Sequence, residues 1–215
     1  MSTLLTLLPP LLEGAKVTIQ ITFWGIILGF ILAFVAGFAR LSKYRLLRIV
    51  ATVYVEVFRG TSLLVQLFWI YFVLPHFGLF LPTMLSAVLA LGLNAGAYGS
   101  EVVRSSILNV SKGQIEASIA LNMTPFQRMR LVILPQAFVM MLPGFGNLQI
   151  ELLKGTSLVS LITLADMTYQ GTILRAATFQ TTEIYSLLLI MYFLLAWPLT
   201  RGIRWLENRL SIGRY

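Results

Sequence analysis

The chain has 215 residues, of which 58% are hydrophobic and only 11% charged, and its mean hydropathy of +0.85 excludes an ordinary water-soluble domain and points to a membrane protein. The net charge of +8 does not point to nucleic acid, because the basic residues stand at the ends of apolar runs, where they orient a chain in a bilayer, rather than along one face. Cysteine is absent and His76 is the single histidine, which removes a disulfide framework, a thiol nucleophile, thiolate metal ligands and a histidine cluster from consideration.

Met1 to Lys16 contains Pro9-Pro10 and lacks a basic n-region, so a cleavable signal peptide is not expected and the N-terminus stays. Residues 17–39 carry no charge and are long enough to cross about 30 Å of hydrocarbon. Gly25, Gly29, Ala33 and Gly37 form a small-residue stripe in this first span, which another helix can approach closely. Arg40, Lys43, Arg45 and Arg48 follow as a short basic loop, placing that end in the cytoplasm and the N-terminus outside. Glu56 and Arg59 are spaced to pair on one helix face. A second span is expected over 54–74, an outside turn at Pro75-His76-Phe77-Gly78, and a third span over 82–103 returning to Arg104.

Residues 105–135 form the long polar interruption. Ser111 with Gln114 has the spacing of a capping box, so a helix is expected from Lys112 through Leu121; Asn122 suits a left-handed stop, and Thr124-Pro125-Phe126-Gln127 is a second capping box leading to Pro135. Two short helices in an L are thereby predicted, with Glu116 and Ala117 exposed for something outside the membrane to grip. A fourth span covers 135–153, where Pro143-Gly144-Phe145-Gly146 predicts a bent or partly unwound helix. Within the outside connection 154–183, Ser157 to Ala165 reads as a short helix capped by Thr156 or Ser157 and dipping back toward the pathway. The fifth span covers 184–205, with Arg201, Arg204, Arg209 and Arg214 holding the C-terminus inside. Three basic residues (Lys16, Lys154, Arg175) fall outside and the other thirteen inside, which fixes this orientation.

Glu116-Ala117-Ser118, Asn122 and Val132-Ile133-Leu134-Pro135 together resemble the EAA motif of bacterial ABC importer permeases, with Ser118, Asn122 and Val132 standing where the strict pattern has Ala, Gly and Ile. Phe58 to Gln66 and Ala97 to Arg104 look like the FRGTPLLVQ and AYxAEIxR segments of the polar amino acid permeases, and the resemblance covers nearly the whole chain. It implies an all-α membrane protein of five transmembrane helices with a cytoplasmic coupling-helix loop, like the permease of a type I ABC importer, in the bacterial inner membrane. In that family the EAA helices insert into a groove on the ATPase, a role carried here to Gly113, Glu116, Ala117, Ser118 and Asn122. The implied partners are an ABC ATPase dimer that binds ATP and Mg, a second permease copy or paralogue, an extracytoplasmic solute-binding protein and membrane lipid, with no nucleic acid.

The residues agree that the energy source lies elsewhere, since no phosphate-binding Gly-rich loop followed by Lys-Ser/Thr, Gly-x-Ser-x-Gly elbow or His-Glu-x-x-His pair is present. No catalytic residue, metal site or cofactor is expected in this chain. For the solute, Glu151 is the carboxylate to meet the cationic part of a zwitterion, or else pairs with Lys154. Backbone N–H groups at a helix start near Thr156 and Ser157 would receive a solute carboxylate, or form an ordinary cap. Asn94 and Tyr98, one turn apart, line the cavity or bridge helices, and Gln66 is a further candidate; Glu101 with Arg104 reads as a structural pair. Lys154-Gly155-Thr156-Ser157-Leu158 resembles the family's LKDTSL segment, with Gly155 where an acid is usual. A polar amino acid or a related zwitterion such as an ectoine-type compatible solute is implied, against a self-sufficient channel or secondary carrier and an intramembrane lipid-modifying enzyme as rivals.

Overall fold

A computed structural model describes residues 2–211; Arg214, assigned above to the inner side, lies outside them. The described residues form helices and short connections with no strand. In chain order they are α1 (Ser2–Leu41), α2 (Arg45–Gly60), α3 (Leu63–Phe68, continuing as a π turn to Val73 and a 3₁₀ turn to Phe77), α4 (Thr83–Leu108), α5 (Lys112–Ala120), α6 (Pro125–Arg128, followed by a π turn to Ile133), α7 (Leu134–Gly155, followed by a 3₁₀ turn to Ile162), α8 (Met167–Thr178) and α9 (Thr181–Ser211).

Among the described residues, three helical stretches are long and apolar enough to cross a membrane: Leu7–Leu41, Pro125–Ile162 and Thr181–Leu210. A fourth meets the condition only as a pair, Arg45–Gly60 with Leu63–Phe77, bent by 108°. The second span expected over 54–74 is therefore two arms joined at Thr61 and Ser62. The predicted third span, α4, falls short of the apolar composition of the others. It carries Asn94, Tyr98, Glu101 and Arg104, and it can do so because α1, α2 and α7 wrap it, with Ala87, Ala90, Ala97 and Val103 fully buried.

The small-residue stripe of α1 is used within the chain. A Cβ on Gly29 would lie 3.1 Å from Ala95, and one on Gly37 2.8 Å from Val103. The opposite face of α4 supplies a matching stripe not singled out in the sequence: a Cβ on Gly92 would meet Leu28 at 2.6 Å, on Gly96 Leu32 at 2.6 Å and on Gly99 Ala33 at 2.7 Å. Two glycine-bearing faces thus bring the α1 and α4 backbones together.

α1 begins well before residue 17 despite Pro9-Pro10. Leu7, Leu11 and Ala15, one turn apart, bury against Met167, Ile184 and Leu188, and Gly14 passes so close to Asp166 that a Cβ would meet its carbonyl oxygen at 2.7 Å. Tertiary packing here overrides the local cost of proline.

The proline-glycine stretch of α7 is not unwound, since the helix runs unbroken through Pro143. Gly144 and Gly146 instead make room for neighbours, because a Cβ on them would meet Val102 at 2.7 Å and Ile203 at 2.6 Å. The two π turns share a cause. Each ends on a Leu-Pro pair, with the Leu74 N–H donating to Trp69 O and the Leu134 N–H to Met129 O. Widening the turn ahead of Pro75 and Pro135 relieves the clash between the proline ring and the carbonyl four residues before it.

Candidate functional site

Two regions hold the residues singled out above: a knuckle over Lys112 to Leu131 and a cleft among α2, α3, α4 and α7. At the knuckle, α5 starts at Lys112 but ends at Ala120, and its N-cap Ser111 makes no side-chain capping bond, so the first expected capping box does not form. Asn122 takes the left-handed conformation, φ 54°, as its position predicted. The second capping box is complete: Gln127 N–H donates to Thr124 Oγ1 at 3.3 Å, and Thr124 N–H donates to Gln127 Oε1 at 2.9 Å. From that cap the helix does not stop at Pro135; α6, the π turn, α7 and the 3₁₀ turn form one continuous rod, Pro125–Ile162.

Gly113, Glu116, Ala117 and Asn122 are exposed on the knuckle, while Ser118 is only 2% exposed and donates its hydroxyl to Ile115 O at 2.6 Å. Ser118 is thus an internal brace and presents nothing to a partner. The sequence reading missed the apolar part of the surface: Leu121 is 76% and Phe126 72% exposed, with Ile119 beside them. Large apolar side chains grouped on a polar loop mark a contact surface. Their signal was present, since Leu121 stands directly before the Asn122 stop and Phe126 two residues after the Thr124 cap.

The cleft, about 250 Å³, is lined by Thr61, Ser62, Leu63, Asn94, Tyr98 and Glu151 with Leu91, Ala95, Leu148 and Leu152. Three candidates, Asn94, Tyr98 and Glu151, therefore meet in one place. Among the described residues Glu151 makes no ion pair, and Lys154 does not reach it. Gln66 is nearby but turned to another task. Its Nε2 donates to Phe58 O and Thr61 Oγ1, both at 2.8 Å, and its Oε1 accepts from Asn94 Nδ2 at 3.0 Å. Asn94 Nδ2 also donates to Phe58 O at 3.1 Å. These amides satisfy the carbonyls that the 108° bend removes from the helical ladder.

Thr156 and Ser157 do not open a helix. The 3₁₀ turn continues α7 without a break, the Thr156 N–H is already spent on carbonyls of Leu152 to Lys154, and the Thr156 side chain is fully buried, donating to Leu153 O at 2.7 Å. The free N–H groups needed to receive a solute carboxylate are absent there. Ser157 likewise donates back to Lys154 O at 2.8 Å.

Beside the cleft, Glu101 gathers three arginines: Arg40 from α1 at 2.6 Å, Arg104 one turn on, and Arg59 from α2 at 3.9 Å. The expected Glu101–Arg104 pair is present, but Arg59 turns to it instead of to Glu56. Arg40, Arg59 and Arg104 converge at one end of the bundle, as their common assignment to one side of the membrane requires. A second acid escaped the sequence reading. Asp166, fully buried, caps α8 by accepting from Thr168 N–H at 3.1 Å and Tyr169 N–H at 2.9 Å, and burial pushes its carboxyl up to about 6. Its position just before a helix was the available sign. No group of three His, Asp or Glu side chains among the described residues is placed to hold a metal ion.

Residues 25–212 match the family described as binding-protein-dependent transport system inner membrane component. The chain is 45% identical over 213 residues to a probable amino-acid ABC transporter permease protein, y4tF, of Sinorhizobium fredii, covering 96% of this chain and 90% of the relative. It is 38% identical over 207 residues to the glutamine transport system permease protein GlnP of Escherichia coli, covering 95% and 94% of the two chains. Among solved structures, an amino acid ABC transporter crystallised with histidines superposes with a TM-score of 0.91 at 35% identity, over 96% of this chain and 97% of that one. The methionine transporter MetNI, at 21% identity and a TM-score of 0.74 over 93% and 97%, shares the fold.

Proposed function

The chain belongs to the family of binding-protein-dependent transport system inner membrane components, and on that premise we propose how this permease subunit of an amino-acid ABC importer works. It is a transporter component and not an enzyme. Two copies, or this chain and a paralogue, enclose one pathway; an extracytoplasmic solute-binding protein delivers a polar amino acid or related zwitterion, the ectoine kind included, to the outer mouth. An ATPase dimer, which binds ATP and Mg, grips the knuckle from the cytoplasm. Five spans serve this arrangement, N-terminus outside and C-terminus inside: α1, the bent α2–α3 pair, α4 as the protein-wrapped centre, the Pro125–Ile162 rod and α9.

The observation that carries the reading is the knuckle itself. Gly113, Glu116 and Ala117 lie on an exposed helix face, and Leu121 and Phe126 offer apolar surface beside it. A hydrophobic centre with a charged rim is what a groove on a soluble subunit can hold. Solute contact is assigned to Glu151, Asn94 and Tyr98, supported by their shared cleft.

Replacing Ala117 with Arg, or Leu121 with Asp, is expected to abolish co-purification of the ATPase subunit while the permease keeps its elution profile and yield. Attachment at the wild-type level in both variants refutes the assignment. A self-sufficient channel or carrier is tested in the same preparation, by solute flux into liposomes holding the permease alone; the proposal requires none.

A further inference from the structure

The three arginines around Glu101 are not equivalent. Arg40 Nη1 stands 2.6 Å from the carboxylate and Arg104 makes a two-pronged contact, its Nε at 3.2 Å from Oε2 and its Nη2 on Oε1. Those two satisfy the acid in both charge and geometry. Arg59 reaches it only at 3.9 Å, beyond hydrogen-bond range, and is the most exposed, with a side chain 41% accessible against 32% for Arg104 and 16% for Arg40. One carboxylate among three guanidiniums leaves positive charge uncompensated, and Arg59 is the arginine holding it most loosely.

Arg59 is also the one tied to the cleft. Its guanidinium lies over the Tyr98 ring, 5.2 Å from the centroid, and the Tyr98 hydroxyl is 3.5 Å from Arg59 O. Tyr98 is a cleft wall, shared with Glu151. The backbone on either side is fixed, because Phe58 O and Thr61 O are held by Gln66 and Asn94. The cleft therefore has a free carboxylate on one wall and, behind another, a guanidinium with spare charge on a stiff mount. That is the charge complement of a zwitterion.

We propose that Arg59 is a specificity-determining residue that receives the α-carboxylate of the solute, which draws it from Glu101 while Glu151 faces the ammonium group. The inference rests on the reading of the cleft as part of the solute route. Arg40 and Arg104 keep Glu101 neutralised when Arg59 leaves, so the exchange does not strand a buried charge.

The absence of cysteine supplies a clean test. A Ser62→Cys variant, assembled in the complete importer complex in detergent, places one reporter thiol of this chain on the cleft wall. Its maleimide labelling, followed on the permease band, is measured against ectoine, each proteinogenic amino acid except cysteine, whose own thiol would consume the reagent, and the matching α-carboxamides. At least one amino acid is expected to slow labelling about fivefold. Adding Arg59→Gln should raise its half-protecting concentration about tenfold or more, to that of its α-carboxamide, whose own protection stays unchanged; Arg59→Lys should recover part of the loss. Protection by the free acid that is indifferent to Arg59→Gln overturns the assignment of Arg59 and leaves the cleft reading standing. Acid and amide weakened alike would show a structural role and overturn it too. If no amino acid protects the parent thiol, the cleft reading fails and Arg59 falls with it.

Discussion

Replacing Gln66 by Met tests whether this buried amide holds the bend or touches solute. Gln66 is 8% exposed, and Met keeps its length while removing both N–H donors and the acceptor. The two hydrogens of Nε2 go to Phe58 O and Thr61 Oγ1, each at 2.8 Å, with Thr61 O a weaker third contact at 3.2 Å. After substitution Phe58 O keeps Asn94 as donor, whereas Thr61 O loses its side-chain contact and Asn94 Nδ2 one of its two acceptors. The three good bonds lost, to Phe58 O, Thr61 Oγ1 and Asn94 Nδ2, at about 1 kcal/mol each give a destabilisation of about 3 kcal/mol. For a chain of this size that is a fall in Tm of about 6 °C or more, readable by thermal unfolding of the detergent-solubilised complex. Gln66→Glu should be worse, because an ionised carboxylate would face two carbonyl oxygens. A Gln66→Met variant with wild-type Tm and a raised KM for transport would refute the bracing role and restore Gln66 to the solute site.

Gly96→Ala should destabilise by about 1–3 kcal/mol, since the new methyl meets Leu32 Cβ at 2.6 Å and Tyr54 Oη at 2.8 Å. Gly202→Ala, with open space at its Cβ, should stabilise α9 by about 0.5–1 kcal/mol; the two midpoints in a denaturant series decide. Thr124→Ala removes a complete capping box and should cost about 1 kcal/mol locally, seen as faster amide exchange over residues 124–128 with the rest of the bundle unchanged. Asp166 binds a proton in the folded state up to about pH 6, while the unfolded chain releases it near its ordinary value of about 4, so stability should fall as pH rises from about 4 to about 6, by about 3 kcal/mol. Asp166→Asn keeps a capping side chain and removes that slope; parallel pH profiles for variant and parent would overturn the argument.

What the sequence made legible was whatever a short stretch decides alone. The Asn122 stop, the Thr124–Gln127 box and the Gly78 turn, φ 82°, depend on local backbone chemistry and appear as predicted. Residues whose meaning depends on a distant partner were misread. Gly144 and Gly146 looked like helix breakers because Val102 and Ile203 could not be seen opposite them, and the helix that approaches the α1 stripe went unnamed because its match on α4 is interrupted by Asn94 and Tyr98. Thr156 and Ser157 had the composition of a helix start, but α7 enters them already wound. Asn94, Tyr98 and Glu151 were recoverable from one consideration: polar groups at membrane depth need partners or water.

The rod Pro125–Ile162 explains why the misread glycines matter. Phe126 and Glu151 belong to this single helical stretch, and twenty-five residues at 1.5 Å each put about 38 Å of helix between them. A tilt of about 5° about the knuckle end would carry Glu151 through about 3 Å, comparable to the reach of a hydrogen bond. An unwound segment at Pro143 would absorb that tilt, and a continuous helix transmits it. Gly144 and Gly146 then matter as bearings, letting Val102 of α4 and Ile203 of α9 approach the rod closely, so under the proposed coupling role a load applied at Phe126 would reach the cleft carboxylate along one helical stretch.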